Sequence, residues 1–236
     1  MQCCKEHLVE RIRRIILITG GTGYLGRALC EVLVARGASV RALVRPGGAQ
    51  RAARGVEVCQ GDALNPVSVA AACEGCDTLV HLVGTPHPAS WKQAEFERVD
   101  RGSLFASVEA AQWSGIRHFV YVSVAHPAPT MHGYIGIRME CERRLGEASL
   151  TATILRPWYV LGEGHRWPLA LVPFYWLAER FGPTRAGALR LGLVTHAQML
   201  SALGWAVENP PPNSAGNPRI LDVAAIRAIA AGGAGA

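Results

Sequence analysis

Three side chains in the middle of the sequence are suited to acid–base chemistry on a carbonyl or alcohol group. Ser123 directly follows the apolar run RHFVYV, and Tyr134 and Arg138 lie four residues apart in the next segment, YIGIRMECERRL. A positioned phenol can exchange a proton with an oxygen that a serine hydroxyl also hydrogen-bonds. Its pKa is about 10 when unperturbed, so a nearby cation is needed to favour the ionised form. We expect Tyr134 as the acid or base, Ser123 as the orienting group and Arg138 as the electrostatic partner; a merely packing tyrosine is the alternative.

The stretch IILITGGTGYLG, residues 15–26, predicts a strand, a tight turn and a helix. Its apolar run is too short to span a membrane, and Leu29 and Leu33 fall on one side of the helix. The glycines fit both GxxGxxG and GxGxxG, spacings that let backbone approach a pyrophosphate at a helix N-terminus. A P-loop is excluded because no Lys-Ser or Lys-Thr pair follows. The residues predicted to contact a dinucleotide here are Gly20, Thr22, Gly23, Tyr24, Leu25 and Gly26.

Further apolar segments alternate with helical patterns along the first two thirds of the chain. A long helical pattern covers residues 94–114, and strand-like runs cover residues 39–45, 55–59, 78–83, 117–122 and 151–155. Strands separated by helices at this rhythm predict an α/β fold with a parallel, doubly wound sheet. In such a sheet, ligands bind outside the carboxyl ends of the strands. Both the glycine turn and Ser123 belong to that edge.

Residues near the ends of the second, third and fourth strands complete the predicted cofactor site. Arg41 and Arg45 offer guanidinium groups where NAD-preferring sites place a carboxylate, which favours NADP over NAD. One of them can instead stack on adenine or face solvent. Asp62 can accept from the adenine amino group, with a loop cap as the alternative, and Gly84 lets backbone approach the cofactor. The remaining predicted contacts are Ala63, Val83, Thr85 and Pro157.

Two histidines and two aromatic residues lie close to the predicted ligand edge. His81 falls inside the fourth strand and is expected in the core. His87, in the loop GTPHP, is a candidate substrate contact, although loop histidines are commonly inert. Trp158 and Tyr159 leave the sixth strand and are expected to contact substrate.

Charge and cysteine usage exclude several classes of protein. The net charge is +6, but the basic residues are scattered singly, so we expect no nucleic-acid partner. Seven cysteines do not resemble a secreted disulfide framework, and with no evident export signal they favour a cytoplasmic protein. Cys73 and Cys76 straddle a helix end and the next strand, and no second ligand pair has matching spacing. No metal site is therefore expected.

Several motifs together resemble the extended and atypical short-chain dehydrogenase/reductase superfamily. They are TGGTGYLGR, the Gly61-Asp62 pair, HLVG, VYVS, a Tyr-xxx-basic helix and ILRPWYVLG, spread over residues 15–164. The chain is most similar to the NAD-dependent epimerase/dehydratase-like members, including NmrA-like proteins and the complex I accessory subunit. The resemblance implies a Rossmann fold that holds NAD(P), with a catalytic Ser, Tyr and Lys.

The chain departs from that family pattern at two positions. Arg138 stands where the family has lysine, and no lysine follows Lys92. Arginine keeps a charge that can depress the phenol pKa and reach the nicotinamide ribose, but it does not relay protons. In addition, Val99-Asp100 stands where extended members usually read Val-Asn. Three functions stay open: an oxidoreductase, a non-catalytic NAD(P)H-binding sensor or assembly subunit, and a nucleotide-sugar epimerase or dehydratase.

The domain organisation expected from these motifs is a Rossmann core with a small substrate lobe. Residues 1–14 form an N-terminal extension, 15–156 the core, 157–229 the lobe interleaved with the last sheet elements, and 230–236 a flexible tail. The lobe contains the apolar, aromatic stretch 167–178. This stretch can line a pocket for an apolar or quinone-like small molecule, form a homodimer interface, touch a membrane surface, or simply pack as core.

Overall fold

The computed structural model describes residues 14–86, 88–89, 91–162, 190–212 and 215–232. Within them a seven-stranded parallel sheet has the strand order β3-β2-β1-β4-β5-β6-β9, and β7 and β8 form a separate parallel pair. The predicted doubly wound sheet is confirmed. The strands are β1 Ile15–Thr19, β2 Ser39–Val44, β3 Glu57–Gln60, β4 Cys76–His81, β5 His118–Val122, β6 Ala152–Leu155, β7 Tyr159–Leu161, β8 Leu193–Thr195 and β9 Arg219–Leu221.

Helices cover both faces of the sheet and make a three-layer sandwich. Helix α3 is composite, since its residues Phe96–Arg101 are π-helical between the α-helical segments Gln93–Glu95 and Gly102–Trp113. The predicted helix over 94–114 is therefore confirmed. Its π-helical segment, in which the helix is wider than an α-helix, was not predicted. The other helices are α1 Tyr24–Ala35, α2 Pro66–Cys73, α4 His132–Glu147, α5 His196–Glu208 and α6 Val223–Gly232.

The core consists of two apolar layers, one on each face of the sheet. Alternate residues of β1 point to opposite layers: Leu17 packs with α2, α3 and α4, while Ile16 and Ile18 pack with α1, α5 and α6. Because both faces are covered, the central strands carry apolar runs such as IILI in β1 and FVYV in β5 instead of strict alternation with polar residues. Short connections then place the residues that follow each strand along one edge of the sheet.

Side-chain caps fix the starts of two helices. Asn65 accepts hydrogen bonds from the backbone of the first turn of α2, and Pro66 occupies its first position. Thr195 and Gln198 form a reciprocal capping box at the start of α5. These caps satisfy backbone donors that a helix start leaves unpaired.

The C-terminal part of the chain returns to the sheet after the predicted lobe begins. Strand β9 pairs with β6, and α5 packs against α1. Helix α6 runs to Gly232, which is further than the predicted start of the tail at Ala230. The predicted N-terminal extension and the aromatic stretch 167–178 lie outside the described residues. Within the part that the structure describes, no helix is long and apolar enough to cross a membrane.

His81 belongs to the core, as predicted. Its ring is fully buried; Nδ1 lies 3.0 Å from the hydroxyls of both Thr19 and Ser107, and Nε2 lies 3.3 Å from that of Ser103. Burial lowers the pKa of His81 to about 3, and the positive charge of Arg138 adds to this effect. The imidazole is therefore neutral inside the folded protein.

The buried neutral imidazole predicts a specific loss of stability in mild acid. An unfolded histidine takes up a proton below a pKa of about 6.5, while the folded His81 does not, so the free energy of unfolding falls as pH decreases from 6.5 towards 3. Between pH 7 and pH 5 this contribution amounts to about 2 kcal/mol. His81→Asn should remove it from the pH dependence measured by urea unfolding, whereas His132→Asn, at an exposed site, should not.

Candidate functional site

The glycine turn after β1 leaves the N-terminus of α1 open towards the edge of the sheet. Gly20 has a φ of +77°, which a β carbon disfavours, and its backbone faces Leu82 at the end of β4. A β carbon on Gly26 would lie within 2.2 Å of the Gly20 carbonyl oxygen, so the helix approaches the turn as closely as a glycine allows. Among the described residues, no side chain caps the first amides of α1. These amides are available to an anion.

A cleft of about 590 Å³ lies in front of these amides. Its walls are formed by residues that follow β1, β2, β3 and β4, together with one side of α3. A Rossmann cleft of this kind accommodates a dinucleotide. The predicted cofactor contacts that line it are Gly20, Thr22, Gly23, Arg45, Asp62, Ala63, Val83 and Gly84.

Arg41 does not belong to this cleft, so its predicted role as a cofactor contact is wrong. Its guanidinium donates to the carbonyl oxygens of Ala72 and Glu74 at 2.8 and 2.7 Å and pairs with Glu57 at 3.0 Å. The physical reason is position: Arg41 is the third residue of β2, too far from the carboxyl end to reach the ligand edge. It ties the end of α2 to the sheet instead.

Two arginines that the sequence analysis missed line the cleft beside Arg45. Arg51 ends the short 3-10 turn Ala49–Arg51, and Arg98 lies in the π-helical part of α3. Arg45 and Arg51 make no ion pair with any described residue. The signal for Arg51 was available in the sequence, since it follows the second strand closely. Predicting Arg98 as a cleft residue would have required knowing which side of α3 faces the cleft.

Asp62 lies at the predicted ligand edge and also acts as a loop cap. It lines the cleft, and its Oδ1 accepts a hydrogen bond from the Leu64 backbone at 2.9 Å. Its contact with the adenine amino group stays a prediction.

A second cavity, of about 450 Å³, adjoins the cleft. The two spaces meet at two points of the chain, because Gly23 and Gly84 line the cleft while Tyr24 and Thr85 line the cavity. Most of its wall is apolar. The predicted site residues in the wall are Tyr24, Leu25, Thr85, Ser123, Tyr134, Arg138, Pro157, Trp158 and Tyr159.

Ser123 and Tyr134 are brought to the same cavity, as predicted. Ser123 follows the end of β5, and Tyr134 lies in the first turn of α4 with its ring packed on Phe96 at a centroid distance of 5.0 Å. The Ser123 hydroxyl oxygen is buried and has no hydrogen-bond partner among the described residues. A buried hydroxyl without a partner is costly, and a molecule bound in the cavity that Ser123 lines would complete its hydrogen bonding.

Arg138 is buried beneath the cavity rather than extended into the cleft. Its Nη1 donates to the Tyr121 hydroxyl and to the Val122 carbonyl oxygen, each at 3.0 Å. Its Nη2 pairs with Asp100 Oδ1 at 2.6 Å. The guanidinium lies 5.0 Å from the centre of the Tyr134 ring, within the range of a cation–π contact.

Arg138 lowers the pKa of Tyr134, as expected, but burial has the larger effect and acts in the opposite direction. Burial raises the pKa of Tyr134 above its ordinary value, and the charge of Arg138 offsets this only in part. Asp100 also favours the neutral phenol because it cancels part of the guanidinium charge. Tyr134 is therefore a protonated phenol at neutral pH.

The remaining predicted substrate contacts are divided between described and undescribed parts of the chain. Trp158 and Tyr159 line the cavity and meet edge to face at 5.5 Å. His87 lies outside the described residues. A search of the described chain finds no group of three or more metal-binding side chains. Burial raises the pKa of the Cys73 thiol to about 12, so this cysteine is an inert core residue.

Bare helix amides that face a cleft at the carboxyl edge of a parallel sheet are the means by which Rossmann proteins bind a dinucleotide. The profile of a protein family described as NAD(P)H-binding matches residues 20–166, and this chain belongs to that family. The NAD(P)-binding character that the motifs predict is thereby confirmed. The cofactor is a nicotinamide dinucleotide.

The relatives of the chain include proteins named reductases. The ceramide reductase of Caulobacter vibrioides is 30% identical over 161 residues, which are 67% of this chain and 50% of that protein. A farnesyl-dihydroquinoline-oxide ketoreductase of Stigmatella aurantiaca is 31% identical over 167 residues, 61% of this chain and 50% of that protein. The chain thus spans about half the length of these curated relatives.

The fold is also found among solved structures. A short-chain dehydrogenase/reductase superfamily protein from Agrobacterium tumefaciens with bound NAD superposes with a TM-score of 0.64. The superposition covers 91% of this chain and 81% of that one at 19% identity. At this identity the likeness establishes the shared fold.

The close contact at Gly26 predicts that a single methyl group will disturb cofactor binding. Gly26→Ala places a β carbon against backbone that cannot move aside, so we expect NADPH affinity to fall by more than about tenfold. Gly136→Ala is the matched control, because nothing lies near its β carbon and alanine favours the helix. Fluorescence titration with NADPH measures both. Unchanged affinity in Gly26→Ala would contradict the assignment of the turn.

Proposed function

We propose that this protein is an NADP-preferring reductase that transfers a hydride to the carbonyl group of an apolar substrate. The observation that carries the proposal is the unpartnered Ser123 hydroxyl, which lines the same cavity as Tyr134, next to the cofactor cleft. Two polar groups directed at one space, in an otherwise apolar wall, favour a small molecule with a single reactive oxygen.

The chemistry follows from the positions of these two side chains. Bound NADPH supplies the hydride, whose two electrons reduce the carbonyl carbon. Ser123 donates a hydrogen bond to the carbonyl oxygen, and Tyr134 donates the proton that this oxygen requires. The resulting phenolate regains a proton from solvent. Arg138, which remains charged, stabilises the phenolate while it lasts.

The raised pKa of Tyr134 supports reduction as the working direction. A protonated phenol is ready to act as an acid, whereas alcohol oxidation requires the phenolate as a base. The same direction is given by the names of the two reductase relatives.

The walls of the cavity support an apolar substrate. Leu25, Val124, Met131 and Trp158 present carbon to the space around the two hydroxyl groups. Both relatives are named for lipid-like molecules, a ceramide and a farnesylated dihydroquinoline. An apolar wall favours such compounds over a nucleotide sugar, whose phosphates require basic and polar groups.

Arginines in the cleft support NADP over NAD. Arg45 follows β2, where the ribose of the adenosine half binds in a Rossmann protein, and Arg51 is on the same connection. Neither is neutralised by a described carboxylate, so both are suited to a 2′-phosphate. Arg98 adds positive charge from the opposite wall.

A second candidate is a protein that binds NAD(P)H without catalysing hydride transfer. The observation in its favour is that both Nη groups of Arg138 already bind protein atoms, so neither is free to take the place of a lysine amine at the nicotinamide ribose. The two candidates differ in one measurable property, turnover of a carbonyl substrate.

Tyr134→Phe separates the two candidates. The variant keeps the ring that packs on Phe96 but removes the proton donor, so we expect kcat to fall by about 100-fold or more while NADPH affinity stays within about twofold. Loss of NADPH absorbance with long-chain β-keto esters and menadione measures turnover. No turnover by the wild type, with tight NADPH binding, would favour the non-catalytic candidate; full turnover by the variant would exclude Tyr134 as the acid.

Arg45 and Arg51 should decide the choice of cofactor. Arg45→Gln and Arg51→Gln each remove a partner of the 2′-phosphate, so we expect NADPH affinity to fall by about tenfold and NADH affinity to stay nearly unchanged. Arg54→Gln, exposed on the same connection but outside the cleft, is the control. Equal losses for both cofactors would show that these arginines bind the shared diphosphate.

A further inference from the structure

The two departures of the sequence from its family pattern meet inside the fold. Arg138 and Asp100 form an ion pair at 2.6 Å, with 8% and 0% of their side chains exposed. One departure replaces a lysine with a more branched cation, and the other replaces a neutral amide with an anion. The two changes are complementary in charge as well as in position.

Asp100 is held in place from the side opposite to Arg138. Its Oδ2 accepts hydrogen bonds from the Thr85 hydroxyl at 2.6 Å and the Thr85 backbone amide at 3.1 Å. It lies in the π-helical segment of α3, a rare geometry that occurs frequently at functional sites. Thr85 therefore holds the carboxylate in place independently of the guanidinium.

Arg138 is confined by the groups around it. Its Nη1 binds Tyr121 and Val122, and its Nη2 would lie 2.6 Å from a β carbon on Gly84. Glycine at this position thus makes room for the ion pair. The guanidinium is left 5.7 Å from the centre of the Tyr121 ring and 5.0 Å from that of Tyr134.

We propose that Asp100 is a positioning residue that fixes Arg138 against Tyr134 and offsets part of its charge, so that the Arg138–Asp100 pair acts as one unit where the family has lysine and asparagine. The inference rests on the proposed function, in which Tyr134 is the proton donor. The pair keeps the guanidinium out of the cofactor cleft and keeps the phenol protonated.

The charges around Tyr134 give the proposal a measurable sign. The titratable groups that face it are Arg138 and Cys141 from α4, Asp100 from α3 and Tyr121 from β5. Burial raises the pKa of Tyr134, Arg138 lowers it, and Asp100 raises it again. Removing the Asp100 charge leaves the Arg138 charge uncompensated, which lowers the pKa of Tyr134.

Titration of Tyr134 by ultraviolet difference spectroscopy tests the positioning role. The tyrosinate signal of Tyr134 is obtained by subtracting a matched variant that also carries Tyr134→Phe. In Asp100→Asn we expect its midpoint to fall by about one pH unit or more relative to the wild type. An unchanged midpoint overturns the proposal, because it would show that the Asp100 charge does not influence the acidity of Tyr134.

A thermal double-mutant cycle tests whether the pair acts as a unit. Asp100→Asn and Arg138→Met each leave an uncompensated buried group, so each should lower Tm by on the order of 10 °C. The decrease in Tm of the combined variant should be clearly smaller than the sum of the two single decreases. Additive losses overturn the proposal.

The pair Arg101–Glu140 is the matched control, because it joins the same two helices at 3.6 Å but is about one third exposed. Arg101→Met and Glu140→Gln should change Tm by about 2 °C at most, and additively. Should Asp100→Asn not fold, the variant that combines Asp100→Asn with Arg138→Lys takes its place in the titration, with the same expected direction.

Neither measurement uses a substrate or a cofactor. An absence of turnover in the wild type would contradict the proposed reductase and leave the titration and the melting cycle valid. Conversely, a normal reductase whose Tyr134 titrates identically with and without the Asp100 charge would retain the proposed function and lose the positioning role.

Discussion

The close approach of α1 to the glycine turn is the constraint on which the site depends. Gly26 packs on the Gly20 carbonyl so tightly that the start of the helix is fixed at the edge of the sheet. From this point the chain separates two spaces, because Gly23 lines the cofactor cleft and Tyr24 lines the neighbouring cavity. This contact therefore fixes where the cleft ends and where the cavity begins.

Most of the fold could be predicted from the sequence, because its signals are local. Strand and helix periodicity, the Asn65 cap and the capping box at Thr195 each depend on a few neighbouring residues. The errors concern quantities that only the tertiary structure sets. Arg41 points to a helix end instead of the cleft, and the burial that raises the pKa of Tyr134 cannot be read from the spacing of Tyr134 and Arg138.

Arg138, which stands in the place of the family's lysine, binds several protein groups at once. Lysine carries a compact charge on a flexible chain, whereas arginine presents a planar fork that binds several acceptors at once. Here the fork contacts Tyr121, Val122 and Asp100 together. The two departures were visible in the sequence, but their opposite charges acquire meaning only once the structure shows that they are in contact.

The last strand of the sheet has a consequence for how the chain can be divided. Strand β9 covers the outer edge of β6, although its residues come far downstream, after β8 and α5. A fragment that ended before Arg219 would contain the whole dinucleotide cleft yet expose the unpaired, fully buried edge of β6 to other chains. Open strand edges of this kind promote self-association. The cofactor-binding half is thus not an independent module for grafting or fusion.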